Sequence, residues 1–204
     1  MNNKVFVTIE GRELAFDTLP TLFSPSAPDR GSAAMLRHVS VTSEDKALDL
    51  GCGWGFVSAS LCLAGAGKVF ACDIDPDAVK TAGGNFEKLG LNVHLTVSDG
   101  LDAVEPRDFT LILSNPPYQT DFAVAKKFIA GSYAHLAMGG KLVMVTKRLD
   151  WYKNRLISVF GGVHIDEDDG YYVFTAEKRP RVKKAEDKKE KAPLSKKLAR
   201  KYGK

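Results

Sequence analysis

Short apolar runs alternate with amphipathic stretches along most of the chain. Each run is nearly continuous in apolar residues and is bounded by Gly, Asp or Pro, a pattern typical of strands buried on both faces of a parallel sheet. The amphipathic stretches place apolar residues at helical spacing and carry Gly near their C-terminal ends. Strands are predicted at KALDLG (46–51), KVFACD (68–73), VHLTV (93–97), FTLILS (109–114) and KLVMVT (141–146), and helices at GFVSASLCLAGA, PDAVKTAGGNFEKLG and DFAVAKKFIAGSYAHLA.

Strands that alternate with helices predict an α/β fold with right-handed crossovers and a doubly wound, mostly parallel sheet. After the fifth strand, WYKNRLISVFGG is expected to form a helix, and GGVHID and YYVFTAE to form a hairpin around EDDG. The start of the chain, KVFVTIEGRELAFDT, predicts another hairpin that turns at Glu10-Gly11. We therefore expect one domain over residues 1–177, made of an N-terminal β-hairpin (1–22), a lead-in loop and helix (23–45) and a core (46–177).

Composition argues against a membrane span and against a metal centre. The chain has 204 residues, of which 44% are hydrophobic, which suffices for one well-packed domain. No apolar run approaches the ~20 residues of a membrane span, and MNNKVFVTIEGREL lacks the order of a signal peptide, so we expect a cytoplasmic protein. Cys52, Cys62 and Cys72 stand at no metal-ligand spacing and are expected to be reduced thiols, with no metal bound.

Charge divides the chain unevenly. Residues 178–204 carry 13 Lys and Arg against 3 Asp and Glu, whereas residues 1–177 carry 16 basic and 22 acidic residues. We expect this basic tail (178–204) to be disordered. Two interpretations are open for it: a solvated end that aids solubility, or an electrostatic arm for a polyanion, because clustered Lys and Arg displace counterions from phosphates.

The segment LDLGCGWG (48–55) joins the first core strand to the first core helix. Its glycines alternate, whereas a dinucleotide-binding loop requires G-x-G-x-x-G, and no Gly-Lys-Ser/Thr follows to hold a triphosphate. Such glycines let the backbone turn sharply and approach a ligand closely, at the sheet edge where open α/β sheets bind ligands. The residues concerned are the glycines Gly51, Gly53 and Gly55 and the acids at the ends of the first three core strands, Asp49, Asp73 and Asp99.

The segment SNPPY (114–118) follows directly on the fourth strand. Prolines cannot continue a strand because each fixes φ and lacks an N–H, so one interpretation is a turn that ends the strand. The other is catalysis on a planar amine. The Asn115 amide oxygen and the Pro116 carbonyl, kept rigid by Pro117, would accept both N–H bonds and turn the nitrogen lone pair toward a methyl donor, while Tyr118 would stack on a base.

Taken together, LDLGCGWG, the acid of ACDID, VSDG and SNPPY resemble, in order and spacing, the class I S-adenosylmethionine-dependent methyltransferases over roughly residues 46–177. The resemblance implies a Rossmann-like seven-stranded sheet with its last strand antiparallel, and S-adenosyl-L-methionine as the cofactor, without a metal. It implies cofactor contacts from Asp49, Gly51, Cys52, Gly53, Gly55, Asp73, Ile74, Asp99, Gly100 and Asn115, and a catalytic centre of Asn115, Pro116, Pro117 and Tyr118. Among these, the first acid and the glycines would line the methionine side, the second acid would hold the ribose, and the third would sit near the adenine.

The upstream stretch FSPSAPDRGSAAML (23–36) resembles the segment before the glycine loop in the type C family of small-subunit ribosomal RNA guanine-N2 methyltransferases, whose catalytic domain also begins with a β-hairpin. The alternative is a Pro/Ser loop that leads into a helix at Ala33. Larger members carry a second, degenerate methyltransferase domain that this chain is not expected to contain, so the RNA position does not carry over. The residues that the resemblance places at the substrate are Phe23, Asp29, Gly31, Ser32 and Tyr118.

These patterns predict an S-adenosylmethionine-dependent N-methyltransferase that acts on an exocyclic base amine of RNA, with guanine N2 of ribosomal RNA ranked first. The partner would be ribosomal RNA or a small-subunit particle, which the basic tail favours over a protein. Because the S/D/N-P-P-Y/F motif also serves adenine N6 and protein glutamine N5, those two amines stay open as alternatives. A non-catalytic RNA-binding relic of a methyltransferase is the alternative from a different functional class.

Overall fold

A computed structural model describes residues 3–117 and 122–180 of the chain. They form a two-stranded hairpin and a seven-stranded sheet with helices between the strands, which confirms the predicted doubly wound α/β fold with an N-terminal hairpin. The elements are β1 (Asn3–Ile9), β2 (Arg12–Thr18), α1 (Arg30–Arg37), β3 (Lys46–Leu50), α2 (Phe56–Leu63), β4 (Lys68–Asp73), α3 (Pro76–Leu89), β5 (Val93–Val97), β6 (Phe109–Ser114), α4 (Ala123–His135), β7 (Leu136–Thr146), α5 (Leu149–Phe160), β8 (His164–Asp168) and β9 (Tyr171–Glu177).

The strand order of the large sheet is β5-β4-β3-β6-β7-β9-β8. Strands β5, β4, β3, β6 and β7 pair in parallel, whereas β9 is antiparallel to both of its neighbours, which confirms the expected antiparallel last strand. The strand order reverses between β3 and β6: from β3 the chain continues outward to β4 and β5, and from β6 it continues in the opposite direction to β7. This reversal opens a crevice at their carboxyl ends, where open α/β sheets bind ligands.

Side chains of alternating direction divide the core into layers on the two faces of the sheet. One layer packs α4 and α5 against residues such as Leu48, Ile112 and Met144. The other packs α1 and α2 against residues such as Ala47 and Leu113, and α3 continues that layer under the hairpin. Both faces of the central strands are therefore covered, which explains their continuous apolar runs.

The N-terminal hairpin turns at the predicted pair, Glu10 and Gly11, with φ of 48° and 72°. Two consecutive left-handed residues match the right-handed twist of the strands that they join. The hairpin is fixed to α3 by Asn85, whose amide accepts from the Asp17 backbone N–H at 2.8 Å and donates to the Asp17 carbonyl at 2.9 Å. The same amide nitrogen donates to the carbonyl of Trp54 at 3.0 Å, so one side chain joins the hairpin, α3 and the glycine loop.

Several element boundaries differ from the sequence prediction by a few residues, and two of these differences have a clear physical cause. Helix α1 begins at Arg30, ahead of the start at Ala33 that the Pro/Ser-loop alternative gave, because the Asp29 side chain accepts from the backbone N–H of Ser32 and caps the helix there. Strand β7 begins before 141, ahead of Gly139 and Gly140, which interrupt the apolar pattern from which the strand was predicted.

The ladder between β7 and β9 continues one residue past the predicted end of the domain, since Lys178 makes backbone hydrogen bonds to Gly139 and Gly140 at 2.8 Å. Most of the basic tail, residues 181–204, lies outside the described residues. Within the described ranges, no helix has the length and apolar character that crossing a membrane requires.

Candidate active site

A cavity of about 370 Å³ lies at the carboxyl ends of β3, β4 and β6. Its volume falls within the range of ~300–1,000 Å³ that is usual for small-molecule sites. The predicted site residues in the described ranges all line this cavity except Gly31, Gly55 and Pro116. The fold therefore brings the glycine loop and the start of the SNPPY segment to one rim.

The glycine loop is shaped by its own backbone bonds. The N–H groups of Gly51 and Cys52 both donate to the carbonyl of Cys72 on the neighbouring strand, at 2.9 and 3.0 Å. Gly55 has φ of 95° at the start of α2, and a Cβ there would lie 2.7 Å from the ring of Phe86. A side chain is excluded at this position by conformation and by space, so the loop turns tightly enough to leave the cavity open.

Asp49 lies beneath the glycine loop, only 3% exposed. Its carboxylate accepts from the Ser58 hydroxyl at 2.6 Å, which ties the end of β3 to α2. Burial raises the pKa of Asp49 to about 7, against the lowering effect of the hydrogen bonds from Ser58; the nearby charge of Asp73 raises it further. A buried carboxyl that titrates near neutral pH can respond to a positively charged ligand placed beside it.

Asp73 closes β4 and faces the cavity with a partly exposed side chain. One of its oxygens accepts from the Gly53 N–H at 2.9 Å and the other from the Asp75 N–H at 3.0 Å, so the carboxylate is held in one orientation. A carboxylate has about four acceptor positions, so capacity remains for a diol. Ile74, 65% exposed, presents an apolar surface beside it, and Asp75 caps α3.

The far end of the cavity is formed by the segment after β5, with Asp99 and Gly100. Lys127 of α4 lies between two carboxylates of this segment, 2.7 Å from Asp99 and 2.7 Å from Asp102. These hydrogen bonds raise the pKa of Lys127, the bond to Asp102 most strongly. The lysine therefore holds α4, and with it Phe128, against the loop that ends the cavity.

Asn115 is the first residue after β6, and its side chain is half-buried at the cavity rim. Its amide nitrogen donates to Asp29 Oδ2 at 2.6 Å and to Ser32 Oγ at 3.0 Å. Pro117 also lines the cavity, whereas Pro116 between them is buried. Tyr118, the last member of the predicted catalytic set, lies outside the described residues.

The lead-in segment brings three predicted substrate residues to the same rim, namely Phe23 and the two residues that contact Asn115, Asp29 and Ser32. Phe23 is 54% exposed and lines the cavity. Ser24 adopts the left-handed conformation with φ of 48°, and its carbonyl accepts from the Trp54 indole N–H at 3.1 Å. Trp54 is buried and packs edge-on against Phe16 of the hairpin while also lining the cavity. Gly31 is buried within α1.

The described lining of the cavity is acidic. It contains the carboxylates of Asp29, Asp49, Asp73 and Asp99 and no basic side chain. The thiol of Cys72 also lines it, but burial raises its pKa to about 12, so it remains neutral. Four carboxylates and no cation around an otherwise largely apolar cavity suit a ligand that carries positive charge.

Asn85 and Ser58 were missed in the sequence interpretation. Both side chains are fully buried and position the walls of the site, the first through the hairpin and the second through Asp49. Asn85 did leave a signal, because it is a polar residue on the apolar face of a predicted helix, where a buried amide must find partners. The contacts of Asp29 and Ser32 with Asn115 left none, since nothing local marks a pairing across 86 positions.

Comparison with known proteins supports the motif-based resemblance. The family described as "Methyltransferase small domain" matches residues 13–175. A ribosomal RNA small subunit methyltransferase C from Pseudomonas putida is 30% identical over 176 residues, which cover 83% of this chain and 53% of that protein. The protein of the same name from Pseudomonas paraeruginosa is 32% identical over 174 residues, covering 82% and 52%. This chain thus spans about half the length of these relatives.

Among solved structures, a T. thermophilus 16S rRNA N2 G1207 methyltransferase in complex with AdoMet and guanosine matches with a TM-score of 0.82 and 28% identity, covering 88% of this chain and 51% of that one. A methyltransferase from Pyrococcus furiosus matches with a TM-score of 0.67 and 20% identity, over 82% of this chain and 90% of that one. The second likeness concerns the fold alone. The first has the same fold and, like the sequence relatives, is named as a methyltransferase of small-subunit ribosomal RNA.

Proposed function

We propose that this chain, which belongs to the methyltransferase small domain family, transfers a methyl group to the exocyclic amine N2 of a guanine in ribosomal RNA. The methyl donor is S-adenosyl-L-methionine, as expected for an S-adenosylmethionine-dependent methyltransferase of this family. The observation that carries this proposal is the meeting of Asn115 with the glycine-lined cavity at one rim. A cofactor held in the cavity would have its methyl group within reach of an amine bound at the Asn115 side.

The residues of the cavity fit this cofactor. S-adenosyl-L-methionine carries a sulfonium and an ammonium, which suit the acidic lining, and an adenosine, which suits a cavity of about 370 Å³ with apolar walls. We propose that Asp73 accepts from the ribose hydroxyls, that Ile74 and Asp99 border the adenine, and that Asp49 lies beneath the methionine end. Gly51, Cys52, Gly53 and Gly100 border the cofactor through the backbone, and Gly55 keeps the loop open from behind.

The proposed chemistry needs positioning rather than a strong base. Bound S-adenosyl-L-methionine supplies a methyl group on a sulfonium, which becomes a thioether as the methyl carbon bonds to nitrogen and one N–H proton passes to water. The Asn115 amide oxygen and the Pro116 carbonyl accept the two N–H bonds of the amine, so that its lone pair points toward the methyl group. Pro116 and Pro117 hold this acceptor pair rigidly, since each fixes φ.

The substrate side of the site is proposed from the lead-in segment. Phe23 exposes an aromatic ring at the rim and would stack on the target base, together with Tyr118. Asp29, Gly31 and Ser32 follow on the same segment, the one that resembles the type C guanine-N2 methyltransferases. That resemblance and the activities named for the relatives favour guanine N2 in ribosomal RNA over adenine N6 or protein glutamine. The reaction is proposed to take place in the cytoplasm. The domain is proposed to span residues 1–177, extended by the pairing of Lys178 with β7, and the tail beyond this residue is proposed to contact RNA.

The test is transfer to unmodified small-subunit ribosomal RNA and to small-subunit particles, followed by mass spectrometry of the nucleosides. We expect N2-methylguanosine. We expect Asn115→Ala to lower kcat at least ~10²-fold, because it removes a positioning acceptor, while Asn154→Ala on the exposed face of α5 leaves kcat unchanged.

Two outcomes would overturn the proposal. N6-methyladenosine as the only product would replace guanine with adenine as the target. Absence of transfer to any RNA, combined with no heat of S-adenosyl-L-methionine binding in calorimetry, would favour the RNA-binding relic.

A further inference from the structure

We infer that Asp29 and Ser32 are positioning residues that fix the polarity of the Asn115 amide, so that its oxygen and not its nitrogen is presented to the substrate. The inference rests on the proposed function, because the methyl transfer is the reaction in which the amide would take part. It assigns these residues a role other than contact with the substrate, since in the structure both accept a hydrogen bond from the amide nitrogen of Asn115.

The polarity follows from the chemistry of the acceptors. A carboxylate can only accept hydrogen bonds, so the group that lies 2.6 Å from Asp29 Oδ2 has to be the amide nitrogen of Asn115. The opposite rotamer would place the amide oxygen against a carboxylate oxygen at that distance, with repulsion in place of a bond. The second amide hydrogen is directed at Ser32 Oγ, 3.0 Å away. With both amide hydrogens directed at this pair, the amide oxygen is on the other side of the planar group.

The polarity decides which substrates fit. An amide oxygen accepts from an amine N–H, whereas a flipped amide would present two donors and would fit a carbonyl oxygen instead. Guanine carries both groups, an amine at C2 and a carbonyl at C6, and both lie on the same edge of the base. An unconstrained amide could therefore bind guanine in a register that withholds the amine from the methyl donor. Asp29 and Ser32 remove that register.

The pair is itself held in place by helix α1. The oxygen of Asp29 that binds Asn115 also accepts from the backbone N–H of Ser32, at 2.9 Å, and so caps the helix. The helix dipole favours a carboxylate at this end. Helix α1 is in turn joined to the turn between β8 and β9, because Arg30 binds Asp169 and Arg37 binds Asp168, each through two nitrogens.

Substitutions at position 29 separate this role from the helix cap. In Asp29→Ser the hydroxyl can still cap α1, but it is too short to reach Asn115. In Asp29→Asn an amide oxygen can replace the oxygen that serves both partners. We expect Asp29→Ser to lower kcat ~10-fold or more with KM for the RNA transcript changed less than about twofold, and Asp29→Asn to restore most of kcat. Ser32→Ala should lower kcat by a smaller factor.

A double-mutant cycle shows whether the effect passes through Asn115. In the Asn115→Ala background, Asp29→Ser should cause no further loss of kcat, because the group that it orients is gone. A loss of equal size in both backgrounds would show that Asp29 acts through the fold, and wild-type kcat in Asp29→Ser would refute the positioning role directly.

A second readout does not depend on turnover. The side-chain amide of Asn115, assigned in ¹⁵N–¹H spectra by its disappearance in Asn115→Ala, should show a low-field proton shift from its bond to a carboxylate, and this shift should vanish in Asp29→Ser. An unchanged amide signal in Asp29→Ser overturns the inference even if the enzyme methylates RNA. A shifted signal in a protein that methylates no amine would support the orientation while refuting the proposed function.

Discussion

The buried carboxyl of Asp49 makes the stability of the fold depend on pH in an unusual direction. Its pKa is raised from 3.8 to about 7 in the folded protein, chiefly by burial. The folded state therefore binds more protons at this site than the unfolded state between these values, and the free energy of unfolding falls as pH rises through them. A difference of about 3 pKa units at ~1.36 kcal/mol each gives roughly 4 kcal/mol in total, of which about 2 kcal/mol falls between pH 5 and pH 7.

The substitution Asp49→Asn removes the titration and keeps an acceptor for the Ser58 hydroxyl. Urea denaturation of both proteins at pH 5, 6 and 7 isolates the effect, because other titrating groups contribute equally to each and cancel in the difference. We expect the stability of the variant relative to wild type to increase by about 2 kcal/mol from pH 5 to pH 7. Parallel curves would show that Asp49 titrates at its ordinary value and that its burial has no electrostatic consequence.

The same carboxyl should couple protonation to cofactor binding. If the ionised form faces the positive charge of S-adenosyl-L-methionine, calorimetry should show Kd falling roughly tenfold from pH 5.5 to pH 7.0 in wild type. The cofactor's own amine stays protonated in this interval, since α-amino groups titrate near ~8. Asp49→Asn should show a nearly constant Kd. A pH dependence of equal size in both proteins would assign the proton to another group.

Three further predictions concern the walls of the site and the tail. Asp73→Ala should weaken S-adenosyl-L-methionine binding by roughly 1–3 kcal/mol in calorimetry, the scale of hydrogen bonds to a charged group; an unchanged Kd would refute the ribose assignment. Gly55→Ala should lower the free energy of unfolding by at least about 2 kcal/mol, because φ is 95° and an aromatic ring lies 2.7 Å from the new Cβ. The control Gly84→Ala, in open space on α3, should not lower the free energy of unfolding. Equal losses of stability in the two variants would contradict this reasoning. Removing residues 181–204 should flatten the salt dependence of RNA binding, and an identical slope would assign the tail to solubility.

Much of the fold could be predicted from the sequence because parallel strands covered on both faces must be apolar throughout. Strand β6 has the predicted bounds for this reason. Strands β4 and β5 also have the predicted bounds, although β5 lies at the edge of the sheet and has no fully buried residue. Strand β7 was predicted too short, since Gly139 and Gly140 interrupt the apolar run while the backbone stays in the sheet. The Pro/Ser-loop alternative began α1 too late, at Ala33, because the cap by Asp29 is a side-chain contact, which hydrophobic spacing does not reveal.

The site was predicted only as a set of positions. Carboxylates at strand ends and alternating glycines indicate a ligand edge, but they do not show how deep each acid lies. Asp49 and Asp73 both line the cavity, but Asp49 is only 3% exposed beneath the loop whereas Asp73 is partly exposed, although each lies near the carboxyl end of a strand of the same sheet. The contact of Asp29 with Asn115 joins residues 86 positions apart, so it depends on the packing of α1 against the sheet. That contact could be identified only from the structure.

The central claim is that the amide oxygen of Asn115 receives the amine of guanine next to the methyl donor. A crystal structure with guanosine and S-adenosyl-L-homocysteine bound tests it most directly. The account predicts guanine N2 within hydrogen-bonding distance of Asn115 Oδ1 and of the Pro116 carbonyl, with the thioether sulfur on the same side and Asp29 still bound to Asn115 Nδ2. Guanine bound through its carbonyl, or an Asn115 amide turned away from the cavity, would contradict it.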